Sequence, residues 1–75
     1  MKKYKGMNFK EWCMLDADDE RKINYTLKGF WGWKKHEEHF TSEDDVDVMT
    51  LHRVQNSLIE DIRLQNNEWF VVLVY

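Results

Sequence analysis

The first segment with a regular apolar spacing is "NFKEWCML", residues 8–15. Phe9, Trp12 and Cys13 recur at the three- and four-residue spacing that defines one face of a helix. Asn8, directly in front of them, is a favoured N-cap residue. The pattern predicts a short helix over residues 8–15.

A longer apolar pattern begins at Ile23, after the segment "LDADDERK". In that segment Asp16 can cap a helix, and Asp19 stands three residues later, as in a capping box. Apolar residues then follow at i, i+4, i+7 and i+8, namely Ile23, Leu27, Phe30 and Trp31. A strand is the alternative, because apolar residues also alternate over residues 23–27 and two glycines weaken a helix by about 1 kcal/mol each. The start signal favours the helix.

A second start signal lies in "TSEDDVDV", residues 41–48, where an aspartate follows a serine by three residues. The helix predicted from it ends near Gln65, at "QNN". Its inner positions step by three and four residues: Val48, Leu51, Gln55, Leu58 and Ile62. This short heptad seam packs inside the chain or forms a homodimer through the helix that carries Leu51, Gln55 and Leu58.

The segment "EWFVVLVY", residues 68–75, is rich in β-branched and aromatic residues. It predicts a strand that is buried on both faces. Because a lone strand cannot satisfy its backbone, it requires a partner. The candidates are "KKYKGM" near the N-terminus, the segment 23–27 and a strand of another molecule.

Length and composition indicate one small globular domain, residues 1–75. A chain this short has a marginal core, and its 15% aromatic content compensates for that. The predicted fold is mainly α, with two to three helices and a C-terminal β-strand, within the α+β class.

Cys13 is the single cysteine, so no intramolecular disulfide is possible and a reducing compartment is favoured. The N-terminal lysines are not followed by an apolar run of signal-peptide length. The run "WFVVLVY" has 7 residues, against about 20 in a membrane helix. We therefore expect a cytoplasmic protein without a membrane partner.

The net charge of −3 conceals an asymmetry. Residues 1–10 hold four lysines and no acid, a charge of +4, so residues 11–75 carry −7. This balance argues against direct nucleic-acid binding. The acids could instead imitate nucleic-acid phosphates and attract a basic protein surface, a hypothesis carried by Asp44, Asp45 and Asp47. Helix capping and solubility are the simpler explanation.

No motif predicts catalysis or a cofactor. The sequence contains neither a Gly-rich phosphate loop nor a nucleophile elbow, and Cys13 at an apolar helical position is typical of a small core residue. In "HEEH", His36 and His39 would share one side of a helix but need a third ligand to hold a metal. A solvated helix end is favoured there, and we expect neither an enzyme nor a metal site.

The aromatic segment "GFWGWKKHEEHF", residues 29–40, predicts a docking surface. On a helical wheel Tyr25, Gly29, Trp33 and Phe40 fall on a side away from the predicted core stripe, at whose edge Trp31 lies. A helix with two apolar sides offers one of them to a partner. With the acids, the predicted partner-binding residues are Tyr25, Gly29, Trp33, Phe40, Asp44, Asp45 and Asp47.

Together these features predict a non-enzymatic interaction protein. The size and composition fit a small phage or mobile-element protein that inhibits or modulates a host macromolecule, with acidic nucleic-acid mimicry as one route. The alternative is a structural or accessory subunit of a larger assembly, such as a virion, held in place by its terminal strand.

Overall fold

The computed structural model describes residues 4–15, 21–31, 33–42 and 44–75, and residues 30 and 31 by their backbone alone. The elements in chain order are α1 (Phe9–Leu15), β1 (Ile23–Trp31), β2 (Lys34–Thr41), α2 (Val48–Gln55), β3 (Leu58–Gln65) and β4 (Glu68–Val74). The strands form one sheet in the order β2-β1-β4-β3. The central strands β1 and β4 are parallel, and each edge strand is antiparallel to its neighbour. The domain is α+β but mainly β, so the mainly α prediction is wrong.

The first predicted helix is confirmed as α1. The Lys10 N–H donates to Asn8 Oδ1 at 2.9 Å, which is the bond expected of an N-cap. Phe9 and Trp12 are buried. The capping signature at Asp16 and Asp19 lies outside the described residues.

The second predicted helix is wrong, because residues 23–31 form strand β1. The alternation that favoured the strand alternative is the real signal, and Leu27 on the inner face is completely buried. β1 pairs with β2 on one side and with β4 on the other, so the backbone groups along both edges of β1 are hydrogen-bonded within the sheet. Trp31 was predicted to lie at the edge of the core, and its side chain is outside the part of the chain that the structure describes.

The third predicted helix is divided in two. Helix α2 begins at Val48, and its N-cap is Asp47, whose Oδ1 accepts the Thr50 N–H at 2.7 Å, rather than Ser42. The helix ends at Gln55, where Asn56 caps it, and Leu58 opens β3. No described helix carries Leu51, Gln55 and Leu58 together, so the predicted helical dimer seam does not form.

A two-residue turn at Asn66 and Asn67 joins β3 to β4. Both residues have positive φ angles, 53° and 61°, and Gln65 pairs with Glu68 across the turn. Positive φ at both central positions defines the type I′ hairpin turn, which asparagine tolerates. The "QNN" segment therefore closes a hairpin and does not end a helix.

The predicted C-terminal strand is confirmed as β4, but only its inner face is buried, so the prediction of burial on both faces is wrong. It pairs with β1 and β3, so both of its edges are occupied within the chain. The N-terminal segment pairs elsewhere: the Gly6 N–H donates to the Ile59 carbonyl of β3 at 2.7 Å. Since β4 is internal, it cannot hold the protein in an assembly by pairing with another chain.

The core lies on one face of the sheet, beneath α1 and α2. Its buried residues are Phe9, Trp12, Leu27, Val54, Ile59, Ile62, Trp69, Val71 and Leu73. No described element covers the opposite face. With 7 and 8 residues, the helices in the described part of the chain are too short to cross a membrane.

Candidate protein-binding surfaces

A groove of about 300 Å³ lies between α2, the β2–α2 loop and the neighbouring ends of β1 and β2. Its apolar lining consists of Tyr25, Phe40, Val46, Leu51 and Val54. Asp44 and Asp45 line it from the loop, together with Thr41 and Ser42. Among the described residues that line the groove, none has a basic side chain. The groove thus combines an apolar floor with an acidic rim.

Two aromatic rings build the floor. Tyr25 of β1 and Phe40 of β2 are opposite each other in the antiparallel ladder, and their rings stack with centroids 4.8 Å apart. Phe9 of α1 contacts the Tyr25 ring edge-on at 5.5 Å. Burial, and secondly the nearby Cys13, raises the pKa of the Tyr25 phenol to about 12. The tyrosine is therefore neutral at physiological pH and serves as an apolar surface.

Backbone hydrogen bonds hold the loop that forms the rim. The Thr41 N–H donates to Asp44 Oδ2 at 2.7 Å, and the Asp44 N–H returns a bond to the Thr41 carbonyl at 3.0 Å. Asp47 caps α2 directly after this loop. Asp45 lies between the two fixed aspartates and is exposed. Capping therefore explains Asp47 and turn formation explains Asp44, whereas the carboxylate of Asp45 is directed to solvent.

The cap predicts a specific acid sensitivity. Hydrogen bonds from Thr50 are the main cause that lowers the pKa of Asp47 below its ordinary value of 3.8. A lowered folded-state pKa contributes stability above the unfolded value and loses it as the pH falls through the folded one. Asp47→Asn keeps a capping oxygen but cannot be protonated in this range. We therefore expect its melting temperature to fall less than the parent's between about pH 4 and pH 2.

The matched control is Asp45→Asn, which removes the same charge two residues away without touching the cap. In thermal melts at several pH values, the melting temperature of this control should fall on acidification as much as the parent's does. Equal acid losses in the parent and in Asp47→Asn would contradict the proposed contribution of the cap.

The structure divides the seven predicted partner-binding residues. Tyr25, Phe40, Asp44 and Asp45 meet in the groove, and Asp47 is adjacent to it. Sequence reasoning named all five of these residues. It grouped Tyr25 and Phe40 by a helical wheel over a segment that forms strands, and it took the aspartates from the acid cluster.

Trp33 and Gly29 lie away from the groove. Trp33 is 98% exposed in the turn between β1 and β2. Six residues of strand, roughly 20 Å, separate the start of β2 from Phe40. Gly29 is buried and pairs with His36. The exposure predicted for Trp33 is confirmed, but its cause is a hairpin turn and not the outer side of a helix.

Sequence reasoning missed Val46 and Val54 as parts of the groove. Val46 is the single apolar residue within "SEDDVD", and that isolation is the signal that could have singled it out. Leu51 was predicted as an inner position of a longer helix, yet it is 50% exposed and forms one wall.

The face of the sheet without helices carries a larger, open concavity of about 480 Å³. The Arg63 guanidinium lies over the Phe70 ring, 5.3 Å from its centroid, and Asp61 lines the same edge. His39 approaches Thr26 Oγ1 at 3.2 Å on the opposite edge. Charges of both signs line this concavity, so it favours no class of charged partner.

The histidine pair is placed differently from the predicted arrangement, whereas Cys13 lies in α1 and packs, partly buried, against the core as predicted. His36 and His39 are three residues apart in a strand, so their side chains point to opposite faces of the sheet. No three His, Cys, Asp or Glu side chains cluster as metal ligands among the described residues. Burial raises the pKa of the Cys13 thiol, which opposes formation of a reactive thiolate.

Comparisons with protein families, with curated proteins and with solved structures find no match to this chain.

Proposed function

We propose that this protein is a non-enzymatic binding module that inhibits or modulates a protein partner by occupying its surface. The observation that carries the proposal is the groove beside α2, with its stacked aromatic floor and acidic rim. Such a groove suits a partner segment in which an apolar anchor is flanked by lysine or arginine. Apolar burial would supply affinity, and the aspartates would supply orientation and a faster association rate.

This proposal keeps the useful part of the mimicry hypothesis. A partner with a basic surface is attracted by the same charges whether it normally binds nucleic acid or another protein. The partner's basic character is therefore the shared requirement. An assembly subunit held by its terminal strand has less support, because both edges of β4 are already paired.

The test is affinity capture from a lysate with the parent and two groove variants, Asp45→Lys and Leu51→Ala. Asp45→Lys reverses the rim charge without removing a described hydrogen bond. Leu51→Ala removes one apolar wall and should weaken binding by about 1 kcal/mol or more, roughly fivefold. We expect each variant to capture less of the partner than the parent does, and the parent complex to weaken as salt screens the aspartates.

Matched controls lie on the same domain. Asp61→Lys makes the same charge change on β3, and Met49→Ala truncates a 64% exposed side chain of α2 outside the groove. Both should capture the partner as the parent does. Equal capture by groove variants and controls, or an affinity that does not change with salt, would refute the groove as the binding site.

A further inference from the structure

Among the described residues, no strand pairs with the outer edge of β2, and its outward backbone groups form a defined set. The Ser42 N–H donates to the Ile23 carbonyl in β1 at 2.8 Å. Hydrogen-bonded pairs alternate along an antiparallel ladder, so even-numbered residues of β2 direct their backbone groups towards β1. Odd-numbered residues then point outwards, and the Thr41 N–H does so, since the Asp44 side chain accepts it. Lys35, Glu37 and His39 therefore present their N–H and C=O groups along the edge.

The side chains of this edge are arranged in a self-complementary order, "KKHEE", residues 34–38. Suppose that two copies of β2 lie antiparallel with His36 opposite His36. Lys35 of each copy is then opposite Glu37 of the other, and Lys34 is opposite Glu38. Opposite charges in directly facing positions stabilise an antiparallel pair, and like charges destabilise it.

The backbone and the faces of the sheet agree with this register. The facing residues Lys35 and Glu37 both have outward backbone groups, so they can exchange hydrogen bonds. In this register each odd-numbered residue faces an odd-numbered one and each even-numbered residue an even-numbered one. Since side chains alternate between the two faces of a strand, the helix-covered faces of the two copies lie on the same side of the joined sheet. A shift of two residues in either direction puts Glu37 opposite Glu37 or Lys35 opposite Lys35. The charges thus select one register.

Pairing would disrupt little at the four charged positions of this segment. Among the described residues, Lys34, Lys35 and Glu38 have no side-chain hydrogen bond or ion pair. Glu37 has an exposed contact with His39 at 3.6 Å, and such exposed pairs contribute little stability. Edge lysines commonly prevent pairing. Here, however, the lysines precede His36 and the glutamates follow it, so in an antiparallel pair of two copies each lysine faces a glutamate.

We propose that β2 is the interface of a homodimer in which two sheets join edge to edge into one continuous eight-stranded sheet. The second copy of this chain is the partner that fits the edge in backbone direction and charge. This inference goes beyond the proposed function and does not depend on it, because it is argued from the backbone and charges of β2 and not from the groove.

The experiment measures molecular mass by sedimentation over a concentration series at low salt. The parent should rise from 9.2 kDa towards twice that mass. The variants Lys34→Glu/Lys35→Glu and Glu37→Lys/Glu38→Lys should each stay monomeric, because every facing pair becomes like-charged. An equimolar mixture of the two should dimerise again, since each reversed strand matches the other.

Lys5→Glu/Lys10→Glu is the control, because it makes the same charge change at two exposed positions away from β2. It should dimerise as the parent does, and far-ultraviolet circular dichroism should show that all variants are folded. Recovery in the mixture excludes unfolding as the cause of monomer formation. The proposal is overturned by a parent that stays monomeric, by single variants that still dimerise, or by a mixture that fails to recombine.

Discussion

Trp12→Ala is expected to unfold the protein at physiological temperature. Trp12 is 2% exposed and contacts the rings of Tyr4, Phe9 and Trp69, with the last centroid 5.2 Å away. Removing a buried tryptophan costs about 3–5 kcal/mol, through lost burial and the cavity that remains. A domain of this size has a total stability near 5 kcal/mol. Thermal and urea melts, read by circular dichroism, measure the loss.

Trp33→Ala is the control for that prediction. It removes the same side chain from a turn position that is 98% exposed, so its melting temperature should match the parent's. Trp12→Phe should fall between the two, because Trp12 Nε1 has no hydrogen-bond partner among the described residues and the aromatic packing is largely kept. A Trp33→Ala variant that unfolds, or a Trp12→Ala variant that melts normally, would contradict the described core.

Val72→Pro is expected to be nearly as damaging as Trp12→Ala. The Trp69 N–H donates towards β1, to the Lys22 carbonyl, and N–H directions alternate along a strand. The Val72 N–H therefore belongs to the ladder with β3. Proline deletes that donor in an internal strand, at a cost on the order of 3 kcal/mol, the scale found for proline inside a regular hydrogen-bonded element.

Two variants separate the causes of that loss. Val72→Ala shortens the side chain but keeps the N–H, so it should melt close to the parent. Glu37→Pro deletes an N–H that points away from the sheet and should cost about 1 kcal/mol or less when measured at low protein concentration. If Glu37→Pro proves as damaging as Val72→Pro, β2 is not an edge strand of the sheet.

Local signals predicted the parts of the fold that local interactions determine. Helix α1 followed from an N-cap and one apolar face, and β4 from a run of β-branched and aromatic residues. β1 was mispredicted because residues 23–31 satisfy a helical period and a strand period together. Pairing with β4, which is distant along the sequence, decides between them, and a short window cannot contain that information.

The break between α2 and β3 had a readable signal. Apolar residues from Val48 to Ile62 fit a heptad only because two short elements happen to continue the same spacing. The Asn66–Asn67 pair after them is a favoured hairpin turn, and a hairpin requires a strand on each side. Giving that turn more weight than the heptad would have predicted β3.

The candidate site shows a similar mixture of correct residues and an incorrect reason. Tyr25 and Phe40 were grouped by a helical wheel, whereas they meet as facing residues of a hairpin. The acids of the β2–α2 loop were predicted to be either helix caps or binding charges. In the structure Asp47 is the cap of α2, and Asp45 is exposed. The binding role stays a prediction.

The parallel pairing of β1 with β4 governs how fast this chain can reach its native state. Ile23 pairs with Trp69 and Lys28 with Val74, so each facing pair is 46 positions apart (69 − 23 and 74 − 28). Each hairpin can zip from its own turn in microseconds, but the core forms only when the two hairpins meet and close this long loop. The sequence contains no proline, so no slow peptide-bond isomerisation is superimposed. We therefore expect the docking of the two hairpins, which closes this loop, to limit refolding.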